Sequence, residues 1–288
     1  MLPNFLVIGA EKAGTTWLYE VLRQHPHVFL PDTKELCYFN RLDSNLQISD
    51  YFHRLDRSWY EEFFSEHRNQ PAIGDVSPMY LCDDAAPARI AATLPGAKLI
   101  AILRDPVERA HSHYWMARNK EHLTESFAEV IARKDEAVIR RGLYGEQLEV
   151  YFSLFSPSQI LILIFEEVMA DRREALARVC RFIGVDEAGL SDANLNESVN
   201  PATAYRSAWL YNASVTLATR FRQSGLLSWL PRLLKKTGFN AKVKSLNAVE
   251  FRKPPLTEEE RAALRQYYAG DRERLERLLG RKIEAWPR

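Results

Sequence analysis

Near its amino terminus the chain joins an apolar run to an amphipathic segment through a loop bounded by two glycines. Residues 5–8 are all apolar and predict a buried strand, and the apolar residues among 17–22 recur at helical spacing. Gly9 permits a tight exit from the strand, and Gly14 lets backbone amides approach a ligand without a Cβ in the way. Because the helix that follows has a positively polarised start, we expect this loop to bind an anion such as phosphate.

The loop has the spacing GxxxxG followed by Thr15 and Thr16, and so is similar to the phosphate loop of nucleotide kinases and ATPases. It departs from that loop at the position after the second glycine, where Thr15 replaces the lysine and Lys12 lies inside the loop instead. A kinase shares the phosphate charge between its lysine and magnesium, so Lys12 implies a different position for the reacting group. The alternative is a plain strand-to-helix turn that happens to contain glycines.

Length and composition allow one large α/β domain or two small ones, and we expect a single domain over residues 1–288. With 288 residues and 46% hydrophobic content the chain can bury a sizeable core. The formal net charge of +1 gives no general reason to expect nucleic acid as a partner. Cys37, Cys82 and Cys180 are widely spaced, which argues against a disulfide framework, and no metal-ligand cluster is evident. Since the sequence also shows neither a leader nor a membrane-spanning run, we expect a soluble, cytoplasmic protein.

Beyond the first helix, predicted strands and helices alternate along the chain. The predicted elements are a helix over 83–94, a strand over 98–103, a helix from about 106, a helix over 142–155, a central strand over 160–165, an amphipathic helix over 171–183, and two helices between the capping box of Thr257 and Glu260 and the end at Gly280. This alternation predicts an α/β fold of P-loop-like, three-layer type, in which helices flank a central parallel sheet.

A second group of polar residues follows the predicted strand at 98–103. Arg104 comes directly after the strand, at the edge where open α/β sheets bind ligands, and Ser112 lies two turns into the next helix. A guanidinium and a hydroxyl that converge there form a second anion site. In the alternative, Arg104 and Asp105 form a structural ion pair and Ser112 is merely solvated. Taken with the first loop, these residues favour a ligand that carries phosphate at two separated positions.

Together the two motifs resemble those of the sulfotransferases that use 3′-phosphoadenosine 5′-phosphosulfate (PAPS). The segment EKAGTTWL is similar to that family's 5′-phosphosulfate loop, and RDPVERAHSHY is similar to its 3′-phosphate motif. The resemblance runs from residue 5 to the carboxyl terminus. It implies that Arg104 and Ser112 bind the 3′-phosphate, and that the loop site comprises Lys12, Ala13, Gly14, Thr15, Thr16 and Trp17. Trp17 falls where cytosolic members stack an aromatic ring on adenine, and a place in the core is its alternative.

The resemblance also implies a reaction. Lys12 at the bridging oxygen stabilises the charge that develops as the S–O bond breaks, and no metal is needed. The segment KELCYF at 34–39 is similar to the KE…FF motif of heparan-sulfate sulfotransferases, whose glutamate is the base, so Glu35 is the predicted base. The alternative for Glu35 is an exposed carboxylate paired with Lys34. The competing bases are His25, His27, His111 and His113.

The segment GDVSPMYL at 74–81 resembles the acceptor-cleft segment of the same family, although Val76 stands where heparan-type members often carry lysine, which makes a strongly anionic glycan a less favoured acceptor. The predicted acceptor-binding residues are Lys34, Tyr38, Asp75, Ser77 and Tyr80. Residues 142–144 resemble the family's GxY element, so Tyr144 is a candidate cofactor contact, with simple packing as the alternative. Arg252 and Lys253 replace the family's lysine-glycine turn, and either close over the 3′-phosphate or form a solvated basic linker.

Residues 198–249 contain no acidic residue and interleave basic with large apolar side chains. We expect a helical cap on the acceptor side at about 198–250, which covers an amphiphilic acceptor, touches anionic lipid through 209–236, or simply packs on the domain. The predicted partner is a hydroxyl-bearing acceptor, and the product left by PAPS is adenosine 3′,5′-bisphosphate. A magnesium-dependent kinase and a non-catalytic PAPS-binding module are the two rival functions.

Overall fold

The computed structural model describes residues 1–42, 50–120, 123–187, 203–205, 248–250 and 253–287. The described strands are β1 (Phe5–Gly9), β2 (Val28–Phe29), β3 (Ala72–Val76), β4 (Lys98–Leu103), β5 (Ile160–Ile164), β6 (Thr203–Tyr205) and β7 (Ala248–Glu250). The described helices are α1 (Thr15–Leu22), α2 (Tyr51–Arg54), α3 (Arg57–Glu62), α4 (Ala86–Thr93), α5 (Pro106–Lys120), α6 (Phe127–Ala132), α7 (Tyr144–Leu154), α8 (Phe165–Ala170), α9 (Arg172–Ile183) and α10 (Glu258–Leu279). Short 3₁₀ helices lie at Pro78–Tyr80, Arg140–Gly142 and Pro157–Gln159.

Strands β1 to β5 form one parallel sheet in the order β2-β3-β1-β4-β5. The middle strand β1 pairs with β3, where Leu6 lies opposite Asp75, and with β4, where Leu6 lies opposite Leu99. The chain completes the β3 side before it crosses to β4, so the strand order reverses between β1 and β4. Open parallel sheets bind ligands at the carboxyl ends of the strands beside such a reversal. The predicted α/β fold with a central parallel sheet is confirmed.

Close packing explains the apolar sequences of the inner strands. All five residues of β1 are buried, because a parallel strand covered on both faces has no polar side. A Cβ at Gly74 of β3 would come within 2.2 Å of the Phe5 ring, and one at Gly9 would come within 2.6 Å of the Leu81 Cβ. A larger residue at either position would therefore displace β1 and the loop that follows it.

Four predicted elements differ from the structure. The strand at 160–165 is wrong as a central strand, because β5 lies at the end of the described sheet beside β4. An apolar run indicates burial by covering helices, but not the number of neighbouring strands. The two predicted carboxyl-terminal helices are the single helix α10, which runs through Gly270 to a left-handed cap at Gly280. Helix α4 begins at residue 86 rather than 83, because the Asp83 carboxylate accepts hydrogen bonds from the amides of residues 85 and 86.

The start of α7 is held by α10. The Asp271 carboxylate accepts hydrogen bonds from the backbone amides of Gly145 and Glu146, at 2.8 Å each. These are amides that a helix start leaves without an intrahelical partner. A Cβ at Gly145 would lie 2.6 Å from the Asp271 carbonyl oxygen, so only glycine permits this approach. The contact fixes α7 and the 3₁₀ helix before it against α10.

The predicted helical cap at about 198–250 falls largely outside the described residues, and so does the predicted lipid contact at 209–236. The two stretches of this segment that are described, β6 and β7, pair with each other in antiparallel fashion, with Thr203 opposite Glu250. Among the described helices, none combines the length and the apolar composition that crossing a bilayer requires.

Candidate active site

The loop between β1 and α1 contains two residues with positive φ, Lys12 at 67° and Gly14 at 89°. Gly14 adopts this conformation without strain, and a Cβ there would lie 3.1 Å from the Phe165 ring. Lys12 is not a glycine, so neighbouring contacts must hold its backbone turn. Helix α1 begins at Thr15, and the amides of its first turn, which lack an intrahelical acceptor, face the loop. The loop therefore has the form of an anion site.

Arg104 lies beside this loop, at the carboxyl end of β4. Its Nη1 donates a hydrogen bond to the Lys12 carbonyl oxygen at 3.4 Å, and its guanidinium lies 5.1 Å from the centre of the Phe165 ring. The Asp105 carboxylate accepts a hydrogen bond from the Val107 amide at 2.9 Å and so caps α5. Arg104 thus contacts the first loop. Asp105 caps α5, and this contact takes the place of the ion pair between Arg104 and Asp105 that the alternative interpretation predicts.

Ser112 and Lys253 meet close to Arg104. The Lys253 Nζ donates a hydrogen bond to the Ser112 Oγ at 3.1 Å. Burial lowers the pKa of Lys253, and the positive charge of Arg104 lowers it further. Two partly buried cations and a hydroxyl at one place favour a bound anion between them. Arg252, the other residue predicted here, lies outside the described residues.

Glu35 lies on the loop after β2, and its amide donates a hydrogen bond to the Val76 carbonyl oxygen at 3.0 Å. Because β3 and β4 are parallel, this bond holds Glu35 at the same edge of the sheet as Arg104. The Glu35 carboxylate lies 2.5 Å from the Lys34 Nζ and its side chain is 47% exposed. The structure therefore contains the ion pair of the alternative interpretation, and the role of Glu35 as a base stays a prediction.

Asp75 forms the centre of a buried hydrogen-bond network behind this loop. It is 1% exposed and accepts hydrogen bonds from Ser77 at 2.8 Å, Tyr80 at 2.7 Å and Tyr60 at 3.0 Å. Burial raises the pKa of the Asp75 carboxyl, although the three hydrogen bonds act in the opposite direction. The structure thus places Asp75, Ser77 and Tyr80 in the interior, and their predicted contact with the acceptor stays a prediction.

The network supports the loop that carries Glu35. The Ser77 Oγ accepts a hydrogen bond from the Cys37 amide, and the Tyr80 Oη accepts one from the Tyr38 amide, at 3.2 Å each. Tyr38 is itself 3% exposed, and its ring stacks on Tyr60 at 4.5 Å. Of the five predicted acceptor-binding residues, Lys34 alone is not fully buried. Of the other four, Tyr38 belongs to the loop, and Asp75, Ser77 and Tyr80 hold it in place.

A family model for the sulfotransferase domain matches residues 2–207. The chain belongs to the sulfotransferase family. The first loop and the motif at 104–114 predict membership of this family, and that prediction is confirmed. Both motifs lie within the matched range.

This sulfotransferase is similar to longer proteins. It is 30% identical to bifunctional heparan sulfate N-deacetylase/N-sulfotransferase 4 of Mus musculus, over 100% of this chain and 31% of the relative. It is 39% identical to the membrane-associated sulfotransferase kil1 of Dictyostelium discoideum, over 51% of this chain and 31% of the relative. With heparan sulfate glucosamine 3-O-sulfotransferase 3B1 of Mus musculus the identity is 30%, over 64% of this chain and 46% of the relative. The chain spans less than half the length of these relatives.

The fold is also that of a solved sulfotransferase. The crystal structure of a sulfotransferase from Alicyclobacillus acidocaldarius superposes with a TM-score of 0.71 over 100% of both chains, at 24% sequence identity. At this identity the similarity shows the fold, and it agrees with the sheet order described above.

Two aromatic residues predicted to contact the cofactor are buried in this sulfotransferase. Trp17 is 6% exposed within the apolar core, and Tyr144, at the start of α7, is 1% exposed. Neither the Trp17 Nε1 nor the Tyr144 Oη has a hydrogen-bond partner among the described residues. Burial raises the pKa of the Tyr144 phenol. The core position of Trp17 is the alternative named above, and its contact with adenine stays a prediction.

Four charged or titratable residues of the loop and of the segments beneath it form a cluster that the sequence motifs do not predict. They are Glu11, Arg109, His113 and Arg141. The Glu11 Oε2 lies 2.7 Å from the Arg141 Nη1 and 3.6 Å from the His113 Nδ1. The spacing of Arg109 and His113 places them on one face of α5, but nothing in the sequence pairs that face with Glu11 or Arg141. This contact depends on the fold.

The histidines considered as bases are poorly placed for that role. His25 and His27 precede β2, so they lie near the amino ends of the parallel strands, away from the loop. The His111 Nε2 accepts a hydrogen bond from the Trp115 Nε1 at 2.8 Å. His113 is 2% exposed, and burial lowers its pKa to about 3. In the part of the chain that the structure describes, no cluster of His, Cys, Asp and Glu side chains is placed to hold a metal ion.

Proposed function

We propose that this sulfotransferase transfers a sulfuryl group from PAPS to a hydroxyl group of an acceptor. The observation that carries the proposal is the pair of anion sites at the carboxyl ends of β1 and β4. One is the loop at 9–16, and the other is formed by Arg104, Ser112 and Lys253, with the Lys253 Nζ 3.1 Å from the Ser112 Oγ. PAPS carries phosphate at its 5′ and 3′ positions, which matches two such sites.

The residues at both sites fit this ligand. The lowered pKa of Lys253 marks a place where a bound phosphate would offset the repulsion from Arg104. The Tyr144 Oη, buried and without a hydrogen-bond partner in the described structure, is the kind of group that a ligand satisfies. Gly14 adopts the left-handed turn before the first turn of α1 without strain. The residues that would hold PAPS are Lys12, Gly14, Thr15, Thr16, Arg104, Ser112, Tyr144 and Lys253.

Lys12 supplies the positive charge for the reaction. When bound, PAPS supplies an activated sulfuryl group attached to a phosphate that departs with negative charge. The Lys12 ammonium interacts with that charge more strongly in the transition state than in the ground state, and so lowers the barrier. In this structure its Nζ lies 3.4 Å from the Met116 Sδ, and a thioether is a weak acceptor that an anionic oxygen readily replaces.

Glu35 accepts the proton of the acceptor hydroxyl in this proposal. Its position at the carboxyl edge of β3 supports that role, since the loop at 35–38 is held by the Asp75 network. The pair with Lys34 does not prevent it, because an exposed ion pair contributes only about 0–1 kcal/mol and separates readily. We expect Lys34, which is next to the base, to lie near the acceptor.

We propose an acceptor hydroxyl on a carbohydrate, a lipid or a small metabolite. The name of one relative specifies 3-O-sulfotransfer to glucosamine of heparan sulfate, which supports a hydroxyl acceptor. The name of another includes N-sulfotransfer, so an amine is the outcome that would correct this part of the proposal. Val76 disfavours a strongly anionic glycan, because no lysine stands at that position to offset the charge.

We also propose that the protein acts in the cytoplasm and without a metal ion. The part of the chain that the structure describes contains no disulfide bond, and Cys37, Cys82 and Cys180 are widely spaced in the sequence, which suits a reducing compartment. Turnover that is unchanged by a metal chelator would support a reaction without a metal ion, and turnover that needs added magnesium would contradict it.

The proposal is tested by comparing adenosine 3′,5′-bisphosphate with adenosine 5′-phosphate in titration calorimetry. Hydrogen bonds to charged groups contribute about 1.5–3 kcal/mol each, so the 3′-phosphate should tighten binding at least about a hundredfold. Arg104→Ala should remove most of this difference. Lys98→Ala, at the opposite end of β4, is the matched control and should preserve it. Equal affinities for the two nucleotides in the wild-type protein would overturn the proposal.

The two rival functions predict a different nucleotide preference or a different outcome with PAPS. A magnesium-dependent kinase would bind ATP with magnesium in preference to the bisphosphate. A non-catalytic module would bind the bisphosphate but release none from PAPS, because it lacks a working base. Release of adenosine 3′,5′-bisphosphate from PAPS therefore separates an enzyme from a module.

A further inference from the structure

The carboxylate of Glu11 is enclosed beneath the first loop by side chains of two other segments. Its Oε2 lies 2.7 Å from the Nη1 of Arg141, which precedes α7, and 3.6 Å from the Nδ1 of His113 on α5. The side chains of Arg141 and His113 are 5% and 2% exposed, and that of Glu11 is 19% exposed. Through this one residue the loop contacts two segments that are remote in the sequence.

The partners of Glu11 are themselves fixed. The Arg109 Nη1 faces the His113 Nδ1 at 3.5 Å, and its Nη2 donates a hydrogen bond to the Val138 carbonyl oxygen. Arg141 belongs to the 3₁₀ helix before α7, and α7 is capped by Asp271. Glu11 therefore binds a rigid surface, so its contacts can determine where the loop lies.

The next residue in the loop is Lys12, whose backbone φ of 67° is unusual for a residue with a side chain. Contacts on both sides hold this turn. The Glu11 carboxylate binds on one side, and the Arg104 Nη1 donates a hydrogen bond to the Lys12 carbonyl oxygen on the other. With the backbone in this turn, the Lys12 Nζ lies 3.4 Å from the Sδ of Met116, about one helical turn beyond His113 on α5.

Glu11 also offsets the positive charge of its surroundings. Burial alone would raise the pKa of its carboxyl, but His113, Arg141, Lys12 and Arg109 together outweigh burial and lower this pKa to about 2. Burial lowers the pKa of His113 to about 3, so its imidazole is neutral near pH 7. A buried cation that loses its counter-charge strongly destabilises its surroundings. Glu11 is therefore ionised at neutral pH and keeps the nearby cations compatible with burial.

We propose that Glu11 is a positioning residue for sulfuryl transfer, which holds Lys12 toward the leaving phosphate through its ion pair with Arg141. This role rests on the proposed function, because it takes Lys12 as the cation at the bridging oxygen. Glu11 itself touches no reacting atom. Glu11 affects the position of Lys12, so replacing Glu11 should change the rate of the chemical step more than the affinity for the nucleotide.

The direct test is Glu11→Gln, which keeps the shape of the side chain and removes its charge. The probe is the release of adenosine 3′,5′-bisphosphate from PAPS with water as the acceptor, in which water bonds to sulfur and the bond to the phosphate breaks, giving sulfate. The rate at saturating PAPS should fall about tenfold to a hundredfold, because a small misplacement of a catalytic group costs this much. The affinity for adenosine 3′,5′-bisphosphate, which has no sulfuryl group, should change less than about threefold.

The matched control is Asp50→Asn, at the start of α2. Asp50 is also a partly buried carboxylate, 23% exposed, and pairs with Arg89 at 2.9 Å. Its replacement should lower the melting temperature and leave the rate at saturating PAPS unchanged. A general loss of stability is thereby distinguished from the loss of position at Lys12.

A second variant tests the pH dependence of the rate, which a purely structural role of Glu11 would not change. Arg141→Met removes the nearest cation of Glu11, while Lys12, Arg109, neutral His113 and the Cys82 thiol, whose pKa burial raises to about 11, remain around it. Burial should then raise the pKa of Glu11, and the rate should fall on the acid side at a higher pH than in the wild type. In the double variant with Glu11→Gln this added pH dependence should disappear.

An unchanged rate in Glu11→Gln would overturn the proposal, and so would a parallel fall in rate and in nucleotide affinity. If Glu11→Gln does not fold, an acid limb in Arg141→Met at the same pH as in the wild type would overturn it. A wild-type protein that does not bind adenosine 3′,5′-bisphosphate is a different failure, because it would overturn the proposed function itself.

Discussion

Lys12 is the residue that distinguishes this loop from that of a kinase. It lies inside the loop, with its backbone in a left-handed turn and its carbonyl oxygen bound by Arg104. Thr15, where a kinase carries lysine, is 4% exposed at the start of α1. The cation is therefore separated from the helix start, which is the arrangement that the proposed departure of a phosphate with charge on its bridging oxygen requires.

Replacing Lys12 by alanine should reduce the rate of release of adenosine 3′,5′-bisphosphate from PAPS by about a hundredfold to a thousandfold, the loss seen when one preorganised charge-stabilising group is removed. The affinity for adenosine 3′,5′-bisphosphate should change only a few-fold, since the contact is made mainly in the transition state. Steady-state kinetics with a calorimetric titration measure the two effects. Lys98→Ala serves as the control, and an unaffected rate in Lys12→Ala would place the essential cation elsewhere.

The carboxylate of Glu35 should be needed for transfer and not for nucleotide binding. Glu35→Gln keeps the backbone contact with Val76 but removes the proton acceptor, so transfer to an acceptor hydroxyl should be lost while adenosine 3′,5′-bisphosphate still binds. Asp32→Asn is the matched control, because Asp32 is an exposed carboxylate nearby that pairs with Arg23. If Glu35→Gln transfers sulfuryl groups at the wild-type rate, the base is another residue.

At the scale of elements, α10 and the tail after it hold together the segments that carry the site. Asp271 caps α7, and the Trp286 Nε1 donates a hydrogen bond to Glu166 at 2.8 Å. Glu166 in turn accepts one from the Asp105 amide, directly after Arg104. Lys253 lies just before α10 begins. The carboxyl-terminal part of the chain therefore positions both Arg104 and Lys253.

The tail itself is held by Glu276, whose carboxylate accepts hydrogen bonds from Lys282, Arg272 and the Ile283 amide. Burial would raise the pKa of Glu276, but these contacts outweigh burial and lower it from 4.5 to about 2. A carboxyl with a lowered folded-state pKa contributes stability above its unfolded-state pKa. That contribution is lost as the pH falls from 4.5 toward 2.

Glu276→Gln should therefore lower the free energy of unfolding at pH 7 by about 1–3 kcal/mol and flatten its pH dependence in this acid window. Denaturant titrations across the pH range measure both. Glu273→Gln, an exposed neighbour on α10, should do neither. A pH dependence as steep in Glu276→Gln as in the wild type would show that other carboxyls, Glu11 among them, govern acid unfolding.

For the molecule as a whole, the sequence predicts what depends on local pattern and on the geometry of parallel strands. The alternation of apolar strands and amphipathic helices predicts the sheet. Because Gly14 and Arg104 each follow a strand, the sequence also predicts that they lie at one edge of it. The proximity of Ser112 and Lys253 agrees with the predicted phosphate site, although it joins residues far apart in the chain.

Other features depend on contacts that no local pattern records. Asp75 looks like a cleft residue in the sequence, but three hydroxyl groups from α3, the 3₁₀ helix at 78–80 and the end of β3 satisfy it in the interior. Glu11 and Arg141 are paired only by the fold. The place of β5 at the end of the described sheet depends on strand order, which apolar runs do not specify.

Thermal unfolding with two competing ligands tests the central claim most directly. A ligand present at a hundred times its dissociation constant adds about 2.7 kcal/mol to the stability, which raises the melting temperature by about 5 °C. Adenosine 3′,5′-bisphosphate without any metal should give this increase, and ATP with magnesium should leave the melting temperature unchanged. A larger increase with ATP and magnesium than with the bisphosphate would contradict the account.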